Sequence, residues 1–297
     1  MYALVQAAKA AGGDIRTGYT VEKIEKTASG FCIKTNDGAL EAKQVLIATG
    51  GKSAPQFGTS GDGYTIAKAM GHTVKRLAPV LTGIEIKENL KPLKGVRVKA
   101  LVRLMKDGKL FEQEFGEVQF NEDGISGICV MNLSRFIKLE EGESFTDGIG
   151  RYSIEIDFVP ELNQAGLENM LKRRREMKMA NAEDLLISIV PPQVRNLMMS
   201  GITLSDLRKT NLCKLAGQLK SWKLSVKGTK GWKVAQCTSG GVTLDEINMD
   251  TMESKIHRGL YFAGEVIDYD GPCGGYNLQN AWETGIKAGK AMADDLL

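Results

Sequence analysis

Gly259-Leu260-Tyr261-Phe262-Ala263-Gly264-Glu265 runs, past Val266 and Ile267, into Asp268-Tyr269-Asp270-Gly271-Pro272-Cys273-Gly274-Gly275-Tyr276-Asn277-Leu278-Gln279. A short apolar run of this kind is a buried strand, and it delivers the carboxylate of Glu265 at its carboxyl end. The glycine loop that follows lets backbone approach a flat ligand. A helix starting near Asn277 then presents free N–H groups and the positive end of its dipole, which favour anionic oxygens. A flavin asks for both features: support at N1/O2 when reduced, and a carboxylate for its ribityl hydroxyls. An ordinary strand–loop–helix crossover explains each glycine singly but not the whole string.

Working outward, Val45-Leu46-Ile47-Ala48 is a continuous apolar strand, the type buried on both faces of a parallel sheet. Thr49-Gly50-Gly51 ends it, and Gly58-Thr59-Ser60-Gly61-Asp62-Gly63-Tyr64 follows. Small residues here suit the carboxyl edge of a sheet that meets a dinucleotide. Thr238-Ser239-Gly240-Gly241-Val242 is a third small, polar turn.

The remaining pattern gives the organisation. A helix is expected over 2–11, a strand over 14–19, and a meander of strands over 21–25, 31–35 and 40–42, with a helix over 62–70. Beyond Pro79 the character changes. Val96, Val98, Ala100, Val102 and Leu104 alternate with Arg97, Lys99 and Arg103, a half-buried antiparallel strand whose return is 110–120. Tyr152, Ile154, Ile156 and Phe158 alternate likewise. Helical character runs from 160 to about 221, strands are expected over 223–226 and 232–237, and a last helix over 277–297. The fold class is α/β, with a parallel-sheet domain formed by residues 1–79 and 236–297 and an inserted β-then-α domain over 80–235.

The 297 residues allow roughly two domains. Thirty-nine basic against 36 acidic residues leave +3, too balanced for a nucleic-acid surface, and the run at 172–175 reads as a solvated helix face. Five scattered cysteines and only His72 and His257 argue against a zinc centre and against a Ser-His-Asp machine. His72 reads as a helix-end cap, His257 as a surface residue, and Trp222, Trp232 and Trp282 as core or hinge. No metal site is expected. Nor does any apolar stretch reach the roughly 18 residues of a membrane span; the expected setting is cytoplasmic. The 34 glycines cluster at the turns quoted above.

Together these strings resemble the aminoacetone-oxidase-like bacterial NAD(P)/FAD-dependent oxidoreductases, flavoproteins built like glutathione reductase. The resemblance rests on the Ala-Thr-Gly-Gly strand end, on residues 59–64, 239–242 and 251–255, and above all on 260–285. It implies an FAD-binding domain interrupted by a barrel-like substrate-side domain. Gly50 and Gly51 would lie near the dinucleotide, Gly264 and Glu265 at the ribityl-pyrophosphate, and Gly274, Gly275, Tyr276, Asn277 and Leu278 beside the isoalloxazine. Hydride would pass to or from a small organic substrate, with oxygen or NAD(P)H as the other partner. The family begins with a G-x-G-x-x-G unit that is not seen here, so an N-terminally truncated form is expected, with self-association through an incomplete sheet. The alternatives are a non-catalytic scaffold, or a split subunit needing that half in trans. Flavin-dependent RNA modification is disfavoured by the weak charge. Cys273 is either a thiol beside the flavin or a small residue filling a turn.

Overall fold

The computed structural model describes residues 2–139, 142–177 and 179–295. Helix α1 (Tyr2–Ala10) is followed by β1 (Val21–Lys26), β2 (Phe31–Thr35) and β3 (Gly38–Ala42), which pair antiparallel in that order. Then come β4 (Val45–Ile47), α2 (Asp62–Ala69), β5 (Ala78–Val80), β6 (Ile84–Ile86), β7 (Arg97–Lys106), β8 (Lys109–Phe120) and β9 (Gly124–Ser126). Helices α3 (Ile128–Ser134) and α4 (Phe145–Gly150) precede β10 (Tyr152–Asp157). Helices α5 (Gln164–Arg175), α6 (Pro192–Met198) and α7 (Leu212–Lys220) lead to β11 (Trp222–Thr229), β12 (Cys237–Ser239), β13 (Leu260–Phe262) and α8 (Tyr276–Asp294).

Six strands close a barrel in the order β10-β11-β6-β9-β8-β7. Period-two alternation builds it: Val102, Leu104, Ile154 and Ile156 are fully buried inside, while Arg103 reaches outward to Asp157 at 3.1 Å. Each such side chain contributes about 1.5–3 kcal/mol. Leu167, Leu171, Leu215 and Leu219, from α5 and α7, extend the same core. A second core gathers Ile47, Tyr64, Ile66, Leu260 and Phe262 around β4, α2 and β13. Strand β13 pairs parallel with β4, Leu260 opposite Val45 and Phe262 opposite Ile47. Strands β5 and β12, which lead into and out of the barrel segment, pair antiparallel, Thr238 opposite Pro79.

Several expectations fail for physical reasons. Residues 14–19 form no strand, because no neighbour offers a ladder. Gly18 O instead accepts from the Asn36 side chain at 3.0 Å, and α1 buries no residue. Residues 232–236 are a turn, with Val234 N–H donating to Gly231 O; the strand lies at 237–239, where β5 supplies a partner. His72 is buried between Glu246 and Ser254, and His257 packs by hydrogen bonding Met70 O at 2.7 Å. Trp282 stands exposed on α8 with Leu278 and Ile286, three positions spaced by one helical turn. The expected end of the last helix at 297 lies outside the described residues.

Candidate functional site

Parallel pairing of β4 and β13 places the carboxyl ends of both strands side by side, the edge where ligands gather in such sheets. From β13, Glu265 projects toward the Gly50-Gly51 turn. Its Oε1 accepts the Thr238 N–H at 2.7 Å, and Tyr64 donates to its backbone oxygen at 2.9 Å. Thr238 Oγ1 in turn accepts from the Lys52 N–H at 2.7 Å and the Ser53 N–H at 3.1 Å. Gly51 is buried, and a Cβ there would overlap both the Glu265 carboxylate and Thr238 Oγ1. Three distant segments therefore meet at one carboxylate.

A cleft of about 350 Å³ opens beside it, lined by Leu81, Gln236, Cys237, Glu265, residues 272–275, Asn277, Leu278 and Ala281. Its floor is the first turn of α8. Gly275, at φ 93°, caps that helix without any side-chain hydrogen bond, so the first N–H groups are left for a ligand. Burial pushes the Cys273 thiol up and pushes Cys237 up further, helped by Glu265; neither is a poised thiolate. A hollow of about 480 Å³ behind the carboxyl half of α8 is lined by charged side chains of both signs; none of the glycine-loop residues borders it.

The loop into α8 is fixed from two sides. Asp270, only 9% exposed, accepts from Arg135 Nε at 2.8 Å, from Ser239 Oγ at 2.7 Å and from Lys138 Nζ at 3.3 Å, and its backbone oxygen accepts from Arg135 Nη2 at 2.6 Å. Asn132 Oδ1 accepts the Cys273 N–H at 2.9 Å. Both Asn132 and Arg135 come from α3 and its cap, on the barrel side.

Of the residues singled out in the sequence, Gly51, Glu265, Gly274, Gly275, Asn277 and Leu278 are brought together. Gly50 sits at the turn with φ 75°, and Gly264 N–H donates to Thr284 Oγ1 at 2.9 Å; neither borders the cleft. Tyr276 turns to the opposite side of α8, into a hollow with Tyr269 and Met252. The Asn277 carboxamide is spent on Gly271, accepting its N–H at 2.7 Å and donating to its oxygen at 3.0 Å. The donor set suits a flavin: a carboxylate for hydroxyls and uncapped helix N–H groups on one cleft. The volume is near the lower end of the roughly 300–1,000 Å³ of small-molecule sites, which suits a ring end more than a whole dinucleotide. Among the described residues no cluster of His, Cys, Asp and Glu could hold a metal, and no helix is long and apolar enough to cross a membrane.

Comparison with known proteins matches residues 1–291 to the profile described as HI0933-like protein Rossmann domain. The chain belongs to this HI0933-like family. It is 34% identical over 290 residues to a 3-dehydro-bile acid delta(4,6)-reductase of Clostridium scindens, covering 94% of this chain and 69% of that protein. It is 30% identical over 287 residues to a ribosomal RNA dihydrouridine synthase of Escherichia coli, covering 93% and 66%. The protein of the same name from Haemophilus influenzae is 30% identical over 263 residues, covering 86% and 61%. The chain thus spans about two thirds of the length of these relatives. A Rossmann-like α/β class and a six-stranded barrel describe this HI0933-like chain. Oxidoreductase chemistry is supported at the level of the family.

Within it, sequence reasoning missed Asn132 and Arg135 as anchors of the glycine loop. Their partners, Cys273 for Asn132 and Asp270 for Arg135, lie far along the chain, and only the string Leu133-Ser134-Arg135, part of the family resemblance, hinted at the second. Tyr64 and Leu81 were missed as well; only the string Gly61-Asp62-Gly63-Tyr64 hinted at the first.

Proposed function

We propose that this chain is the flavin- and substrate-facing part of an FAD-dependent reductase, which passes hydride to a carbon–carbon double bond polarised by a neighbouring carbonyl. One observation carries the reading: Glu265, held by Thr238 and packed against Gly51, borders the same cleft as the uncapped start of α8. The relatives' names support the reaction type. A 3-dehydro-bile acid delta(4,6)-reductase removes unsaturation conjugated to a ketone, and a dihydrouridine synthase makes uridine's two-hydrogen-richer form. Both are reductions, which favours NAD(P)H over oxygen as the other partner. We read residues 1–79 and 236–297 as the interrupted glutathione-reductase-type FAD domain and 80–235 as its substrate-side insertion, a division supported by the β5–β12 neck and the two separate cores.

When bound, the flavin supplies the hydride chemistry. The protein's own groups do the rest. The first N–H groups of α8 would hold negative charge on the flavin, Glu265 would receive its hydroxyl donors, and Leu81, Pro272 and Leu278 would help to exclude water from the cleft.

A second reading, a split subunit completed in trans, is favoured by α1 burying nothing and by the exposed Leu278, Trp282 and Ile286. One experiment tests both. FAD is titrated into the purified chain, and the visible flavin band is followed through anaerobic NADPH addition and then a 3-oxo-4-ene steroid. Bleaching followed by substrate-dependent recovery supports the reductase. FAD that binds but is never reoxidised by any conjugated enone counts against it. Absence of FAD binding supports the split form.

A further inference from the structure

The chain crosses between its two cores at two adjacent places. It enters the barrel through residues 81–83, between β5 and β6, and leaves it through 230–236, between β11 and β12. The crossings are bonded to each other: the Lys230 N–H donates to Gly83 O at 2.9 Å, and the Gln236 N–H to Leu81 O at 3.4 Å.

The entering crossing carries two unfavourable features in succession. Leu81 has a left-handed backbone, φ 52°, which a leucine keeps only where its surroundings enforce it. It is 2% exposed and lines the cleft. Thr82 is 1% exposed, and its hydroxyl finds no hydrogen-bond partner among the described residues, although its N–H donates to Ser134 Oγ at 3.2 Å. A buried orphan hydroxyl, like the strain beside it, favours any arrangement that relieves it.

Contacts across the cleft oppose that relief. The barrel side meets the sheet side through a small apolar cluster, Val80, Leu81 and Cys237 with Met131 of α3 and Cys273. Polar contacts surround it. Arg135 and Lys138 hold Asp270, Asn132 accepts the Cys273 N–H, and Arg76 Nη1 donates to Glu143 O at 3.5 Å. Units joined by a small, largely polar contact move relative to each other by default.

We propose that the barrel is a hinged cover, which swings about residues 81–83 and 230–236, lifts α3 off the glycine loop and so opens the cleft to a ligand. Asp270, gripped by Arg135 and Lys138, is the clasp that holds it shut. In the open form Leu81 returns to an extended backbone and the Thr82 hydroxyl reaches water. A few residues at the ends of elements absorb the change, as hinges do. The inference requires no particular ligand and stands independently of the reductase reading.

The full chain carries its own reporters. Cys237, 2% exposed and packed with Met131 and Cys273, is uncovered when α3 lifts. Cys129, equally buried but inside the barrel core, is uncovered only when the barrel unfolds. Iodoacetamide labelling of each cysteine is followed by mass spectrometry, together with amide hydrogen exchange at Gln236. Arg135→Ala/Lys138→Ala should speed Cys237 labelling roughly tenfold to a hundredfold, the effect of losing charge-assisted hydrogen bonds on an opening equilibrium. Gln236 exchange should rise with it while Cys129 stays slow. Thr82→Val removes the orphan hydroxyl at nearly equal size and should slow Cys237 labelling roughly tenfold. Cys237 labelling that the clasp variant leaves unchanged, or that Thr82→Val does not slow, overturns the proposal. So does faster labelling with the Gln236 amide unmoved, since the glycine loop would then be fraying alone. A clasp variant that labels Cys129 as fast as Cys237 has unfolded, and Thr82→Val then decides: slower labelling supports the hinge, and an unchanged or faster rate overturns it.

Discussion

His72 Nε2 lies 2.9 Å from Ser254 Oγ, and Nδ1 of the same ring lies 3.1 Å from Glu246 Oε2. Ser254 Oγ already accepts the N–H groups of Ile256 and His257, so its proton goes to Nε2 and the ring is the neutral Nδ1–H tautomer. Burial lowers the His72 pKa below its usual 6.5, partly offset by Glu246 and reinforced by His257. A depressed pKa means the folded state binds protons less readily than the unfolded one. The stability it contributes is present above about pH 6.5 and is lost as pH falls through the folded value. Thermal denaturation at a series of pH values should show the wild type losing more on acidification than His72→Gln. Parallel curves would defeat this account.

Arg135→Gln should loosen the glycine loop without unfolding the barrel. Asp270 would keep Ser239 and Lys138 but lose its bidentate partner, at a cost of about 2–3 kcal/mol, less than the 3–5 kcal/mol of an unaided buried pair. Amide hydrogen exchange is the readout. Faster exchange is expected at Gly271, Cys273 and the first turn of α8, with β7 and β8 unchanged; uniform acceleration would show general destabilisation instead.

Gly50 and Gly51 are adjacent yet predict different outcomes. Alanine at 50 meets open space and suffers only its left-handed φ, roughly 1–2 kcal/mol. Alanine at 51 collides with Glu265 and Thr238, roughly 1–3 kcal/mol of overpacking, and displaces the carboxylate. Exchange at the Thr238 amide, together with FAD titration, separates them. Protection there should fall in Gly51→Ala and persist in Gly50→Ala.

The cysteines should alkylate in order of burial. Cys213 is exposed and is expected to react first with iodoacetamide at neutral pH. Cys129, whose thiol burial pushes up to about 11, and Cys237, raised further, should resist until denaturant is added. Rapid labelling of Cys237 in the native chain would contradict the packed site.

Much of this was legible where a segment's own pattern decides its structure. The alternation of Val102 and Leu104 with Arg103 marks a barrel strand without reference to anything else, and the apolar run at 45–48 announces a strand buried on both faces. Convergence of that run with residues 264–279 followed from topology alone. What failed depended on partners. Residues 14–19 have strand composition but no ladder, while residues 237–239 look like a turn and pair because β5 happens to lie alongside. The roles of Asn277, spent on Gly271, and of Tyr276, turned away from the cleft, depend on side-chain direction at the start of a helix, which spacing does not determine.

The pairing of Thr238 with Pro79 also bears on how the chain finds its shape. Contact between Val45 and Leu260 would by itself close a loop made of most of the protein, and distant closures slow folding because their entropy is spent before any contact rewards it. Once β5 and β12 have zipped, the barrel hangs from them as a closed side-branch. The span still to be closed is then only the two short tracts from β4 to β5 and from β12 to β13. A lesion in the three-residue neck should therefore retard acquisition of the site, by refolding kinetics, far more than it weakens the finished protein.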